Sequence, residues 1–338
     1  MITLKKIIPA GLLFSGLILI TAQSQADCSV NSSGNVSISK VPSIALAESG
    51  VQSSQFSAGL SCSGFSLAAL NNTYLKYRVD QMPINYINSV TGERLTVNYL
   101  DTNSNPITIG KEKDMSTFTI INLFTGPKGE LPFYAKVNPG QTVSPGIYRA
   151  ETLFKVKWYY SVPAFAVGGL GSFFSSPGFK RGLLDVADWG SGRDSSLNLS
   201  IEVLPDCRIA TNDVNFGTAA FANAFTPVKT SMGIRCSVKT PYKVSLNDGL
   251  YPQNGNQRAM KSETGNNYMS YEIYKNSTTE RWGRNNEQWL SDIATTNPGI
   301  YDAKTQQGYA FTTKILDTNS LSLPAGKYSD TITVQVEF

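Results

Sequence analysis

The sequence predicts an all-β protein built from two immunoglobulin-like β-sandwich domains in tandem, the second of them incomplete. Three features carry that expectation. Short runs alternate apolar and polar residues between clusters of Gly, Asn and Pro, the spacing of sandwich strands. One plan, a cysteine pair followed much later by a Gly-x-Tyr strand, occurs twice. The two copies end differently, the first with one more alternating strand than the second. Charged residues make up only 16% of the chain, and abundant Gly, Asn, Ser, Thr and Tyr favour strands and turns over helix.

Residues 1–26 read as a secretory signal peptide. Lys5 and Lys6 precede an apolar stretch from Ile7 to Ile20, and Ser24 and Ala26 supply the small residues expected ahead of a cleavage site. The apolar stretch is too short for a good membrane span. The mature chain is expected to start at Asp27 and to pass through an oxidising compartment, where its 4 cysteines pair. Of 29 basic residues against 25 acidic ones, two lie in the leader, so the mature chain is near neutral and offers no charge field for nucleic acid.

Four cysteines allow about three pairings, and the repeat selects one. Cys28 and Cys62 are followed by Pro145-Gly146-Ile147-Tyr148, and Cys207 and Cys236 by Ala325-Gly326-Lys327-Tyr328. Disulfides Cys28–Cys62 and Cys207–Cys236 are expected. After the first Gly-x-Tyr, Ala150, Thr152, Phe154, Val156 and Trp158 share one face of a strand from Arg149 to Tyr160; after the second, Ile332, Val334, Val336 and Phe338 share a face. The repeat restarts beyond Leu204, Pro205 and Asp206, which divides the mature chain into domains of residues 27–204 and 205–338 joined by a short linker.

In the first half, Leu197, Leu199, Ile201 and Val203 alternate with Ser196, Asn198, Ser200 and Glu202 in a last strand able to close the sandwich in cis. The second half stops on its Gly-x-Tyr strand at Phe338, one strand short. An open sandwich leaves backbone groups unpaired and a groove into its core. A strand donated by another chain can fill it. The alternative is a closing strand hidden among the shorter runs of the second half.

The second half carries Cys207 with Phe216-Gly217, Gly233-Ile234-Arg235-Cys236, Tyr242 with Leu246-Asn247-Asp248-Gly249, Arg258-Ala259-Met260, Tyr271-Glu272-Ile273-Tyr274, Trp282-Gly283, and Gly326-Lys327-Tyr328-Ser329-Asp330-Thr331. In this order the pieces resemble the spore coat protein U-like domain of pilins from archaic, Csu-type chaperone–usher pili. The first half keeps the cysteine pair and the Gly-x-Tyr strand without clear counterparts of the Phe-Gly, Arg-x-Met and Trp-Gly pieces. The whole chain resembles the two-domain tip adhesins of those pili. The resemblance implies an N-terminal adhesive domain and a C-terminal pilin domain. It also implies three protein partners: a periplasmic chaperone, an outer-membrane usher and a next subunit that donates an N-terminal strand. Ordinary subunits of the family carry a donor segment ahead of the first cysteine, whereas only Asp27 precedes Cys28 in the expected mature chain. Such a subunit is expected at the pilus tip, on the cell surface.

The chain has 0 histidines, which excludes Ser-His-Asp and Cys-His catalysis and His-based metal sites. Paired cysteines leave no thiol nucleophile, and no carboxylate pair stands out for hydrolysis. An enzyme, a metal and a cofactor are therefore not expected.

The most unusual segment runs from Val162 to Phe179, uncharged, broken by Gly168, Gly169 and Gly171, and bracketed by Pro163 and Pro177. It does not alternate like its neighbours and is expected to be a loop. Strand direction puts it at the end away from the linker, beside the turn at Leu123, Phe124 and Pro127 and, through a longer chain of strand assignments, residues 82–87. Phe165, Ala166, Val167, Leu170, Phe173, Phe174, Leu123 and Phe124 are the candidate surface-binding residues. Exposed apolar patches of this kind usually bind something. A patch of about 200 Å² would offer on the order of 5 kcal/mol before ordering costs, and many pili would add avidity. Attachment to hydrophobic or abiotic surfaces, and biofilm formation, is the expected role. Four readings compete: the segment caps the core, it packs on the pilin domain, the subunit is purely structural, or Tyr86, Tyr99, Trp158, Tyr159, Tyr160 and Trp189 stack on glycans. Trp282, Trp289, Tyr271 and Tyr274 are expected in the second core, and Arg208 and Lys314 in solvent.

Overall fold

Alternation in the sequence becomes strand in the structure wherever one face is covered. The protein is represented by a computed structural model describing residues 27–53, 55–63, 65–125, 133–167, 170–182, 185–318 and 323–338; the leader lies outside them. The N-terminal half contains β1 (Asp27–Val30), β2 (Gly34–Pro42), the short helix α1 (Ser43–Ser49), β3 (Leu60–Ser63), the long β4 (Phe65–Gln81), β5 (Thr117–Thr125), β6 (Gly146–Ala150), β7 (Phe154–Val167), β8 (Leu170–Ser175) and β9 (Arg193–Leu204). Its larger sheet runs β5–β4–β7–β9–β6 and on to Asn85–Ile87 and Arg94–Thr96. A smaller sheet of Val51–Gln52, Tyr134–Val137 and Asn98–Leu100 belongs to the same half.

β9 closes this sandwich in cis. Its one edge pairs antiparallel with β7 and then with β6, and its other edge pairs parallel with β2. Leu197, Leu199, Ile201 and Val203 all face inward and are at most 2% exposed. The strand expected from Arg149 to Tyr160 is interrupted at residues 151–153, which lie exposed between β6 and β7. Beyond the break Phe154, Val156 and Trp158 are buried with Phe56, Tyr77 and Phe133 in one aromatic cluster, and the Trp158 indole N–H donates to the Ala58 carbonyl at 3.2 Å. β1 pairs with β3 so that Cys28 lies opposite Cys62, and Cys28 is disulfide-bonded.

The C-terminal half contains β10 (Cys207–Ala210), β11 (Val228–Cys236), β12 (Lys243–Leu246), β13 (Ala259–Ser262), β14 (Tyr268–Lys275), β15 (Gln307–Ile315), β16 (Tyr328–Ser329) and β17 (Val334–Glu337). One sheet runs β10–β11–β15–β14–β13–β16, and β12 carries β17 on one side and Trp289–Leu290 on the other. Cys207 and Cys236 face each other across β10 and β11 and are bonded. Trp282, Trp289 and Tyr271 are core residues as the sequence implies, whereas Tyr274 is half-buried. Ile332, Val334 and Val336 keep their alternation but are only half-buried, and Phe338 is 57% exposed. A face patterned for a core is left without part of its cover.

The two halves are tied at the linker. The Asp206 carboxylate accepts the Ile44 N–H of α1 at 2.8 Å and the Ser237 hydroxyl at 3.1 Å. Glu48 of α1 meets Arg235 at 2.6 Å and Arg208 at 3.4 Å, so Arg208 is ion-paired rather than simply solvated; Lys314 is exposed. Glu93 meets Lys239 at 2.8 Å.

Candidate functional site

Two places are candidates, one at each end of the molecule. At the N-terminal end, β9 leads into the linker, while β7 starts opposite Leu197 and runs the other way for about 40 Å at strand spacing. Its far part does not form the expected loop: Ser161–Val167 pairs with β8, giving a hairpin joined through residues 168–169. The start of β4 and the end of β5 reach the same place, with Phe65 opposite Thr125, and Phe165 to Val167 run beside Leu67 to Ala69. Three strand ends therefore converge at the pole away from the linker. Residues 82–87 do not join them: Ile87 pairs with Arg149, which faces Ser200 on the linker side, and Tyr86 is fully buried.

Of the candidate surface residues, Leu170 is 81% exposed and Phe173 and Phe174 are half-buried. The backbones of Phe165, Ala166, Val167, Leu123 and Phe124 lie on β7 and β5 close to the pole; their side chains, and the turn beyond Thr125, are outside the described part. The aromatics proposed for sugar stacking are mostly internal. Tyr86, Tyr99, Trp158, Tyr159 and Tyr160 are at most 7% exposed, leaving only Trp189 half-exposed. Tyr86 and Tyr99 use their hydroxyls on each other at 2.7 Å.

Sequence reasoning missed Arg181. Its guanidinium lies 3.7 Å from the Phe173 ring centre and 4.8 Å from that of Tyr74. It donates to the Ser161 carbonyl at 2.6 Å, the Ser161 hydroxyl at 2.8 Å and the Asn72 carbonyl at 3.0 Å. One side chain thus joins β8, β7 and β4 at the base of the hairpin. Burial lowers its pKa to about 10, which leaves it charged at neutral pH. Beside it, Phe179 and Trp189 pack on Tyr74, and Lys76 sits over the rings of Tyr159 and Trp189 at 4.9 and 4.4 Å. The only clue in the sequence was an arginine following an uncharged aromatic run.

At the other end, a groove of about 450 Å³ opens into the C-terminal core between residues 211–216 and residues 328–334. Met232, Met260, Tyr271, Ile273 and Phe311 line it. Its flanks are the segment after the repeated first cysteine and the segment after the repeated Gly-x-Tyr. In the N-terminal half the corresponding segments are β2 and β6–β7, and β9 lies between them. The groove therefore occupies the place that β9 fills in the first sandwich. β17 pairs with β12 on one edge and, among the described residues, has no partner on the other.

The class to which this organisation and the comparisons below point is that of chaperone–usher pilus subunits. A Spore Coat Protein U domain model matches residues 15–153 and again 194–335, and the chain belongs to that family. No curated protein matches it. A chain of the CsuC–CsuE chaperone–tip adhesion subunit pre-assembly complex, from the archaic chaperone–usher Csu pili of Acinetobacter baumannii, is 59% identical over 92% of this chain and 100% of that chain, with a TM-score of 0.72. The CupB6 tip adhesin of Pseudomonas aeruginosa (10% identity, 92% of this chain, 94% of that chain, TM-score 0.31) and the CFA/I adhesin CfaE of enterotoxigenic E. coli (8%, 91%, 93%, 0.28) are too distant to bear on the site. By this membership and likeness the chain is a pilus subunit and not an enzyme, exported through the periplasm to the cell surface.

Proposed function

We propose that the chain is a tip adhesin whose N-terminal domain, residues 27–204, attaches bacteria to hydrophobic or abiotic surfaces and so starts biofilm growth. The observation that carries this reading is the convergence of three strand ends, rich in Phe, Leu and Val, at the pole away from the linker, with Leu170 81% exposed there. The C-terminal domain, residues 205–338, is an immunoglobulin-like pilin domain whose groove takes a strand first from a periplasmic chaperone and then, at the outer-membrane usher, from the next subunit. Supporting this are the half-buried face of β17 and the groove standing where β9 stands in the other half. Burial of the strand aromatics weighs against the glycan reading.

Polar replacement of Phe165, Val167, Leu170, Phe173 and Phe174 tests the adhesive role. Pili are expected to assemble normally, by electron microscopy and surface immunolabelling, while attachment to polystyrene falls by at least about tenfold, since each lost apolar contact is multiplied over many tips. Normal attachment by piliated cells would refute it.

A further inference from the structure

Among the described residues that line the groove, one buried hydroxyl has no partner. Thr313 faces inward on β15 between Phe311 and Ile315, is 2% exposed, and its hydroxyl has no hydrogen-bond partner. Its neighbours across the sheet are Val228 on β11 and Ile273 on β14, which offer no polar side chain. The Tyr271 hydroxyl, also in the groove, is satisfied by the Asp330 carboxylate at 2.7 Å. Thr313 lines the groove yet is already shut away from water; a strand of wholly apolar inward residues would leave its hydroxyl without a partner, and a buried hydroxyl left unmatched is costly.

The first sandwich contains a worked case. β9 closes it with one inward hydroxyl, Ser195, followed by the aliphatic Leu197, Leu199, Ile201 and Val203. Ser195 is 1% exposed and donates to the Asn31 carbonyl at 3.0 Å. A closing strand of this chain thus mixes one satisfied hydroxyl with a run of aliphatics.

Resting on the reading of the groove as a strand acceptor, we infer that the strand which fills it in the assembled pilus carries a small hydroxyl or amide side chain at the inward position facing Thr313, and apolar side chains at its other inward positions. Thr313 is then a residue that sets which strand, and which register, the subunit accepts. A register slipped by two residues would leave both hydroxyls without partners.

The test uses the full mature chain and dye-labelled synthetic strands, one with Val or Ile at every inward position and a series with Thr moved through those positions one at a time. Fluorescence anisotropy is measured on the wild type and on Thr313→Val, a nearly isosteric change that removes only the hydroxyl. In the wild type one peptide of the Thr series should bind about tenfold more tightly than the others and than the all-apolar strand, the scale of one matched buried hydrogen bond. In Thr313→Val that preference should vanish and the all-apolar strand should bind best. Tightest binding of the all-apolar strand to the wild type, or the same preferred position in both proteins, would overturn the inference and leave the acceptor groove standing. Failure of every peptide to bind either protein would remove the acceptor reading itself and the inference with it.

Discussion

Arg258 shows how far a single residue organises the C-terminal half. It is fully buried, donates to the carbonyls of Asn247 at 2.7 Å and Trp282 at 2.8 Å, and pairs with Glu272. Arg281 approaches the other oxygen of Glu272 at 2.8 Å and reaches Asp248 at 2.6 Å. Gly249, at φ +83°, leaves no room for a Cβ, which would stand 2.0 Å from the Asp330 carboxylate. Motif pieces that look unrelated along the chain, Leu246 to Asp248, Arg258, Glu272 and Trp282, are therefore the parts of one polar network beside the groove, buried at Arg258 and Glu272. A network of this kind is high-stakes, because each member left alone is a buried charge or an unpaired carbonyl. Arg258→Met should lower stability by about 3–5 kcal/mol, read as a fall in the urea midpoint of the full chain. An unchanged midpoint would mean that Arg281 alone satisfies Glu272.

At the scale of elements, the hairpin β7–β8 depends on a side chain outside both of its strands. Arg181 anchors it through the Ser161 carbonyl and the Phe173 ring, and this needs a planar guanidinium that stacks and donates in two directions. Arg181→Ala should speed amide exchange in Leu170–Ser175 by about tenfold or more, and Arg181→Lys should not restore protection. Equal exchange in all three proteins would show that strand pairing alone holds the hairpin. The closing strand β9 was legible in the sequence because one of its faces is buried and the other is not, so burial and pattern share a period of two. The hairpin was not. From Trp158 to Ala164 every residue of β7 is buried, because Arg181 and Trp189 cover the outer face while the core covers the inner one. A strand covered on both sides reads as a continuous apolar run, which no alternation can reveal. Residues 82–87 were misplaced for a related reason: the break at residues 151–153 lets Asn85–Ile87 pair with β6 on the linker side, and a count of strand reversals cannot see such a break. Arg181 escaped notice because its partners Asn72, Tyr74 and Ser161 come from strands remote from it in sequence.

Across the whole molecule, the pole of the N-terminal half and the groove lie at opposite ends of a path that passes through residues 204–206. Any force passed from one half to the other must cross that path. Asp206 and Glu48 hold α1 against the second half, and Glu93 extends the clamp to Lys239. Exposed pairs of this sort are individually weak, but Glu93 also serves its own half, accepting the Ser144 N–H at 2.8 Å and the Tyr148 hydroxyl at 3.1 Å. Burial acts to raise its pKa, yet these hydrogen bonds and Lys239 outweigh it and hold the carboxyl at about 2, against an ordinary 4.5. A carboxyl whose folded pKa is depressed binds protons more readily in the unfolded chain. Its stabilisation is therefore complete above about 4.5 and is lost as pH falls through about 2. Glu93→Gln, which keeps the shape and removes the charge, should lower the thermal midpoint at pH 7, by on the order of 2–3 kcal/mol at most in stability. The difference from wild type should shrink as pH drops below 4.5 and close near pH 2. Calorimetry of both proteins from neutral to acid pH reads this directly. A constant offset at every pH would locate the effect of the substitution in packing rather than in the charge that links the two halves.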